Sequence, residues 1–454
     1  MKKVAVVLPT RIFDPWETYL TIGTIGLCPD GRWPDHTSLS LAAILRNKGY
    51  DVKYFDGENR LLETFDLANE VADWNPDWVV ATSETVDYER APQINYSYVN
   101  RFVEMVKMRI PKTKVVVYGT HALVDDISIS NKVDYVIKGD PEIAVPDCIA
   151  GAYCKGVVHK TEDLDSIPDP AVDLLEGYKG ECSEYASGLK GKFIQLALSR
   201  GCPHGCAFCY RSTGSNIRKM SPDRVERLVK GMKQQGYESF FFIDDNWGGG
   251  DKEHTWAKEV CRKIEPLGIK WSCQTRSDVA KDVDLVKLMK KSGCETVGFG
   301  LETYNADLLK LNGKNQTLED VDAAVESLKS AELKTILFWV LGLFGDSWSH
   351  VQKTVDYIKK VKPYGAGCLL AVPFPMSPMS KCKEGFVYPA YMNAGMVGNG
   401  MFQDLYDARR RWKEIDEEVS NPYTLLKQVQ KFRPNVYQRY EIALDMLRKQ
   451  GKMI

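Results

Sequence analysis

The sequence predicts an α/β chain: a doubly wound (Rossmann-like) sheet first, then a partial (β/α)6 barrel, then a small helical C-terminal region. Three observations predict this. Short apolar β runs alternate with helical patterns from residue 3 to residue 138, and again from residue 193 to residue 373. The stretch Ile167-Pro168-Asp169-Pro170 interrupts the two series, and its two prolines resist regular structure. A length of 454 residues suits two or three domains. The expected boundaries are 1–165, a linker over 166–192, 193–380, and 381–454.

In the first series, residues 3–9 read as a near-continuous apolar strand. Residues 36–48 carry Leu39, Leu41, Ala42 and Leu45 at helical spacing and stop at Gly49. Strands at 51–55, 78–82, 114–119 and 134–138, with helices at 61–74 and 98–109, complete the set. Such alternation calls for a parallel sheet that binds ligands at the carboxyl ends of its strands. The second series has strands at 193–199, 239–244, 270–275, 296–300, 334–341 and 367–373. Its helices fall at 221–235, 252–264, 282–292, 318–331 and 347–360, and Ser221-Pro222 reads as an N-cap followed by proline at the first helical position. A barrel of this kind places its chemistry at the strand carboxyl ends. The tail is helical and charged beyond a Gly/Met-rich stretch at 393–401.

Composition excludes several classes. Hydrophobic residues make up 44% and charged residues 27%, both ordinary globular values. Sixty Lys+Arg stand against 61 Asp+Glu, and no basic run exceeds Arg409-Arg410-Arg411, which argues against nucleic acid as a partner. The longest apolar stretch, residues 336–344, is about half a membrane span. Met1-Lys2-Lys3 followed by a short β run lacks the features of a signal peptide, so a cytoplasmic protein is expected.

Twelve cysteines are many for such a chain, and three of them fall within eight residues. The segment reads Arg200-Gly201-Cys202-Pro203-His204-Gly205-Cys206-Ala207-Phe208-Cys209, a C-x3-C-x2-C spacing. Three soft thiolates on one short loop can hold three irons of a cubane cluster and leave the fourth open. Structural zinc usually takes four ligands as two C-x2-C pairs, and His204 sits awkwardly between the first two cysteines. Zinc and a chance cluster of buried thiols are the alternatives. Cys261 and Cys294 have core-like helical or near-helical placement, while Cys28, Cys148, Cys154 and Cys182 form no second cluster.

Placed after the strand that opens a six-unit barrel, this loop resembles the radical S-adenosylmethionine (SAM) superfamily. The resemblance implies a 4Fe-4S cluster on Cys202, Cys206 and Cys209 whose open iron binds SAM. It further implies reductive cleavage to a 5′-deoxyadenosyl radical, with electrons from a donor such as a ferredoxin or flavodoxin. Asp244 and Asp245, closing the second strand, suit the methionine ammonium, a capped turn being the plain alternative. Arg276, Ser277 and Glu302, at the ends of the third and fourth strands, become candidates for the ribose or carboxylate, each equally readable as part of a rim salt bridge. Residues 373–378 resemble the proline-rich exit from the sixth strand, which borders adenine or substrate.

The first series resembles the cobalamin-binding subclass of that superfamily. Ser38-Leu39-Ser40-Leu41-Ala42 opens its first helix, Ala81-Thr82-Ser83 ends its third strand, and Tyr118-Gly119-Thr120-His121 is similar to a Gly-Gly-x-His turn. Residues 134–142 resemble a V-D-Y-V-x-x-G-E-x-E segment, and residues 167–175 resemble the subclass linker. Ser83, Gly119, Thr120 and His121 are thereby candidate cobalamin contacts, a plain αβ turn being the alternative for the last three. The D-x-H-x-x-G motif that ligates cobalt is replaced by Pro9-Thr10-Arg11-Ile12-Phe13-Asp14-Pro15, so no protein histidine is expected on cobalt. His36 and His121 are poor substitutes.

The resemblance implies radical C-methylation of an unactivated carbon with two SAM molecules and methylcobalamin, and no catalytic side chain is named. A cobalamin-dependent cyclase or ring-modifying enzyme acting on a small molecule, pigment or lipid is the main rival. A methylthiotransferase would need three N-terminal cysteines, whereas Cys28 stands alone before Cys148. A non-enzymatic sensor would have no use for the full barrel. No spanning or interfacial helix is evident, so a protein or peptide side chain is the expected substrate and a membrane is not an expected partner. The nearest specific reading is the subclass that C-methylates methyl-coenzyme M reductase, such as its active-site glutamine. Tyr388, Tyr391, Met396 and Met401 are candidates to line the substrate opening, a buried structural loop being an equal alternative.

Overall fold

The computed structural model describes residues 1–10, 34–57, 59–60, 62–83, 97–124, 129–152, 156–178, 189–209, 213–371, 377–381, 411 and 414–415. The expectations for residues 11–15, 373–376, Cys28, Cys154, Cys182, Tyr388, Tyr391, Met396 and Met401 lie outside the described residues. Described residues up to 178, together with Arg218–Met220, form one compact unit, and residues 189–217 with those from 221 onward form another.

The first unit is a parallel sheet of β1 (Lys3–Leu8), β2 (Asp51–Asp56), β3 (Trp78–Thr82), β4 (Lys114–Tyr118) and β5 (Tyr135–Val136), in the order β2-β1-β3-β4-β5. From Val4 to Leu8, β1 is buried on both faces, as a central parallel strand must be. Crossover helices α1 (His36–Asn47), α2 (Thr64–Trp74) and α3 (Ser97–Arg109) cover it. Leu67 and Val71 of α2 and Phe102 and Val106 of α3 pack onto Val79 and Val115 in one core. The order reverses between β1 and β3, and a doubly wound sheet receives its ligands at the carboxyl side of such a point. Thr10, Thr82 and Ser83 lie at those strand ends, all buried.

The expected strand at 134–138 divides into β5 and β6 (Lys138–Gly139), and β6 pairs with β7 (Val158–His159) in a separate ladder. The short α4 (Thr120–Val124) lies between β4 and β5, and α5 (Pro141–Ala150), which has proline at its first position and Pro146 inside, lies between β6 and β7. Those prolines hide α5 from a periodicity reading. Arg218 completes this unit: its Nη1 donates to Asp140 Oδ2 at 2.5 Å and to the Thr161 carbonyl at 2.7 Å.

The second unit is a parallel sheet of β8 (Phe193–Leu196), β9 (Ser239–Phe242), β10 (Lys270–Thr275), β11 (Cys294–Glu302), β12 (Lys334–Leu341) and β13 (Gly365–Leu370). Its order, β13-β12-β11-β10-β9-β8, follows the chain without a reversal, and among the described residues β8 and β13 stay unpaired with each other. A sequential parallel order with edges left open is a partial barrel. Outside lie α6 (Pro222–Gln234), α7 (Thr255–Ile264), α8 (Ser277–Ala280), α9 (Val283–Lys291), α10 (Ala306–Leu311), α11 (Leu318–Ser330) and α12 (Trp348–Val361). Ser221 caps α6 by accepting from Arg224 N at 3.1 Å. The two shortest helices, α8 and α10, are too brief to show a period in the sequence. Alternate positions of β11 and β13 are glycine (Gly298, Gly300, Gly365, Gly367), and a Cβ at Gly298 would come within 2.8 Å of the Phe338 ring.

Candidate active site

The three cysteines occupy the loop that follows the first barrel strand, at its carboxyl end. Gly201 adopts φ +98, and a Cβ there would run into the Asn216 carbonyl, so only glycine lets the loop turn at this point. Backbone bonds fasten the loop. Cys202 N donates to Gly214 O at 3.1 Å, Ala207 N to Asn312 O at 2.8 Å, and Met379 N to Ala207 O at 2.9 Å. Asp245 Oδ2 accepts from Gly201 N at 2.6 Å and from the Thr213 hydroxyl, while Asp244 accepts from Ser199 N. Both carboxylates therefore hold backbone at the entry to the cysteine loop.

All three cysteines are free thiols; Cys206 is buried, Cys202 half-buried and Cys209 exposed. Among the described residues no three His, Cys, Asp or Glu side chains gather around a point that could hold one metal ion. Burial pushes the Cys202 thiol up, with Asp245 and Cys206 adding to it, so proton release must accompany metal binding there. His204 is held below its ordinary value by burial and then by the charge of Arg276. As a chemical set, three thiols on a fastened loop suit a thiolate-ligated cluster, in which each sulfur binds a different iron.

Arg276 is buried at the end of β10. Its Nη1 lies 3.9 Å from Cys206 Sγ, its Nη2 donates to Lys314 O at 2.6 Å, and its Nε donates to Asp278 Oδ1 at 3.1 Å. Lys314 Nζ forms a buried ion pair with Glu302 Oε1 at 2.5 Å, and Glu302 itself sits at φ +58. Ser277 Oγ donates to Gln316 Oε1 at 3.0 Å, and Gln316 Nε2 donates to the Gly300 carbonyl at 3.1 Å. The structure thus brings Arg276, Ser277 and Glu302 together through one segment, residues 312–316, which also contacts the cysteine loop at Ala207. Sequence reasoning missed Asn312, Lys314 and Gln316. The Asn312-Gly313 dipeptide marked a turn, but nothing in the sequence marked its partners.

In the first unit, Ser83 and the Gly119-Thr120 turn meet at the ends of β3 and β4. Ser83 Oγ donates to Tyr118 O at 2.8 Å and accepts from Ala122 N at 3.2 Å. Gly119 adopts φ +112, Thr120 is buried, and the backbone of His121 lies in α4. Beside them Tyr118 Oη meets Ser38 Oγ at 2.5 Å, and Ser38 donates in turn to Asp35. Burial, then Asp56 and Asp35, drive the Tyr54 hydroxyl far above its ordinary value. Thr10 Oγ1, Ser40 Oγ and Tyr54 Oη are buried without a hydrogen-bond partner among the described residues.

Residues 196–358 match the family model of the radical SAM superfamily. An uncharacterized methyltransferase of Pyrococcus horikoshii is 26% identical over 82% of this chain and 81% of its own length. The bacteriochlorophyllide d C-12(1)-methyltransferase of Chlorobaculum tepidum is 27% identical over 41% of this chain and 42% of its own. The anaerobic magnesium-protoporphyrin IX monomethyl ester cyclase of Rubrivivax gelatinosus is 23% identical over 76% and 66%. Among solved structures, the radical SAM methyltransferase TsrM from Kitasatospora setae, with cobalamin and a 4Fe-4S cluster bound, covers 99% of this chain and 100% of its own at TM-score 0.65 and 14% identity. The cobalamin-dependent radical enzyme OxsB, with aqua-cobalamin and SAM bound, covers 92% and 62% at TM-score 0.62 and 13% identity. Residues 196–358 are thus a radical SAM domain, in a chain that shares its fold with the cobalamin-dependent radical SAM enzymes TsrM and OxsB.

Proposed function

We propose that the chain methylates an unactivated carbon by a radical route, using SAM, cobalamin and a 4Fe-4S cluster held by Cys202, Cys206 and Cys209. The observation that carries this reading is the fastened three-thiol loop at the carboxyl end of the first barrel strand. When bound, these groups supply one-electron cleavage and a methyl donor, because an unactivated C–H is beyond the reach of a general base. The side chains supply position and charge. Asp244 and Asp245 hold the loop entry, Arg276 faces a ligand sulfur, and the Lys314–Glu302 pair anchors the segment behind it. In the first unit, Ser83, Gly119 and Thr120 are small buried residues at the strand ends, and small residues there suit close approach of a corrin. The Thr10, Ser40 and Tyr54 hydroxyls, which have no partner among the described residues, are polar groups that such a ligand's amides or phosphate would satisfy.

For the substrate, the favoured class is a side chain of a protein or peptide, with the glutamine of methyl-coenzyme M reductase as its nearest example. The named relatives favour a second class, a pigment-like small molecule, since one methylates a bacteriochlorophyllide and another cyclises a protoporphyrin ester. Incubating reduced, reconstituted enzyme with methyl-deuterated SAM and extracts of the source cells decides between them. Label in one tryptic peptide supports the first class, and label in an extractable small molecule supports the second. A cyclised product without label supports the cyclase, and absence of 5′-deoxyadenosine would sink the radical reading altogether.

A further inference from the structure

We propose that Arg276 sets the reduction potential of the cluster by holding a fixed positive charge against the sulfur of Cys206. The inference rests on the cluster assignment above and adds a role for a side chain that the resemblance had associated with SAM itself. All three guanidinium nitrogens are engaged: Nη1 faces Cys206 Sγ at 3.9 Å, Nη2 bonds Lys314 O at 2.6 Å and Nε bonds Asp278 at 3.1 Å. A planar fork held at three points cannot swing away. Its charge is only partly cancelled. Asp278, its carboxylate partner, is 42% exposed and so partly screened by water, while the nearby Glu302 is taken up by Lys314.

The physical consequence follows from charge. With a thiolate-ligated cluster bound at these cysteines, a one-electron donor such as a reduced ferredoxin or flavodoxin would lose one electron and the cluster would gain it. The cluster would become more negative by one unit, and hydrogen bonds and positive charge at its sulfurs would reduce that penalty. Arg276 is 6% exposed, and this burial keeps solvent from screening the interaction. A salt bridge serving the fold alone would leave the potential where it was.

The test is an anaerobic redox titration of the reconstituted full-length chain, followed by electron paramagnetic resonance of the reduced cluster. Iron and sulfide are counted for every sample. Arg276→Gln should move the midpoint to a more negative potential at unchanged iron content, with Arg276→Lys between it and the parent. Asp278→Asn, an exposed change that removes the opposing charge, should move the midpoint in the opposite direction. If Arg276→Gln fails to load a cluster, the Asp278→Asn shift alone decides, and no shift overturns the proposal. Loaded Arg276→Gln with the parent midpoint overturns it as well. Failure of the parent chain itself to assemble a four-iron cluster would instead overturn the functional reading.

Discussion

Gly201 shows how much of the site depends on single atoms. Its φ of +98 and the Asn216 carbonyl beside its α-carbon leave no room for a methyl group. Gly201→Ala should cost at least ~1–2 kcal/mol locally from the left-handed backbone alone. The chain should still fold while retaining less iron after gel filtration, which iron assay against circular dichroism will separate. The Lys314–Glu302 pair is a second residue-scale case, with side chains only 7% and 9% exposed. Removing one partner leaves a buried charge, so Lys314→Met should destabilise by about 3–5 kcal/mol. Adding Glu302→Gln should recover much of that loss, as chemical denaturation will show. The cysteines of this site were legible because their ligand chemistry is written in spacing. Lys314 was not, because its partners Glu302 and Arg276 come from other strand ends and only the fold brings them close.

At the scale of elements, α9 illustrates a helix start that carries more than one duty. Asp282 Oδ1 caps the helix by accepting from Leu285 N at 3.0 Å, while Oδ2 meets Lys258 at 2.8 Å and His254 Nδ1 at 3.0 Å. These bonds outweigh the effect of burial and bring its carboxyl down to about 2. A depressed carboxyl contributes stability that is complete above its unfolded value near 4 and is lost as pH falls toward 2. Asp282→Asn keeps a competent cap but removes the charge, so it should be less stable than the parent by about 2 kcal/mol at pH 7. That gap should narrow steadily from pH 5 to pH 3, and a gap independent of pH would refute the ion-pair account. Elements of this length were readable from periodicity: α9 was expected at 282–292 and spans Val283–Lys291. The helices that escaped, α4, α5, α8 and α10, are either four to six residues long or, in α5, carry an internal proline.

At the scale of the whole molecule, both halves of the α/β alternation were visible in the sequence, because parallel strands buried on two faces are nearly continuous apolar runs. Strand order was not visible in the same way, since it depends on which crossovers pack together. The absence of D-x-H-x-x-G at residues 9–15 gives a prediction for the full chain. Its cob(II)alamin form should show no nitrogen superhyperfine splitting in electron paramagnetic resonance. Splitting that disappears in a His36 or His121 variant would contradict it.

Arg218, inside the first unit, also has a consequence for the order in which the protein is made. Asp140 is 8% exposed and its guanidinium partner lies 78 positions further along the chain. At synthesis rates of about 5–20 residues per second, that interval lasts roughly 4–16 s. Throughout it the nascent sheet holds Asp140 without the Arg218 guanidinium, and by its end the thiols at 202, 206 and 209 have been translated. The N-terminal unit therefore cannot reach its final state as an isolated early folding product; it waits on a residue translated after the cysteine loop. A ribosome stalled before codon 218 should present a first unit that proteases cut readily, and one stalled well beyond it should present a resistant one.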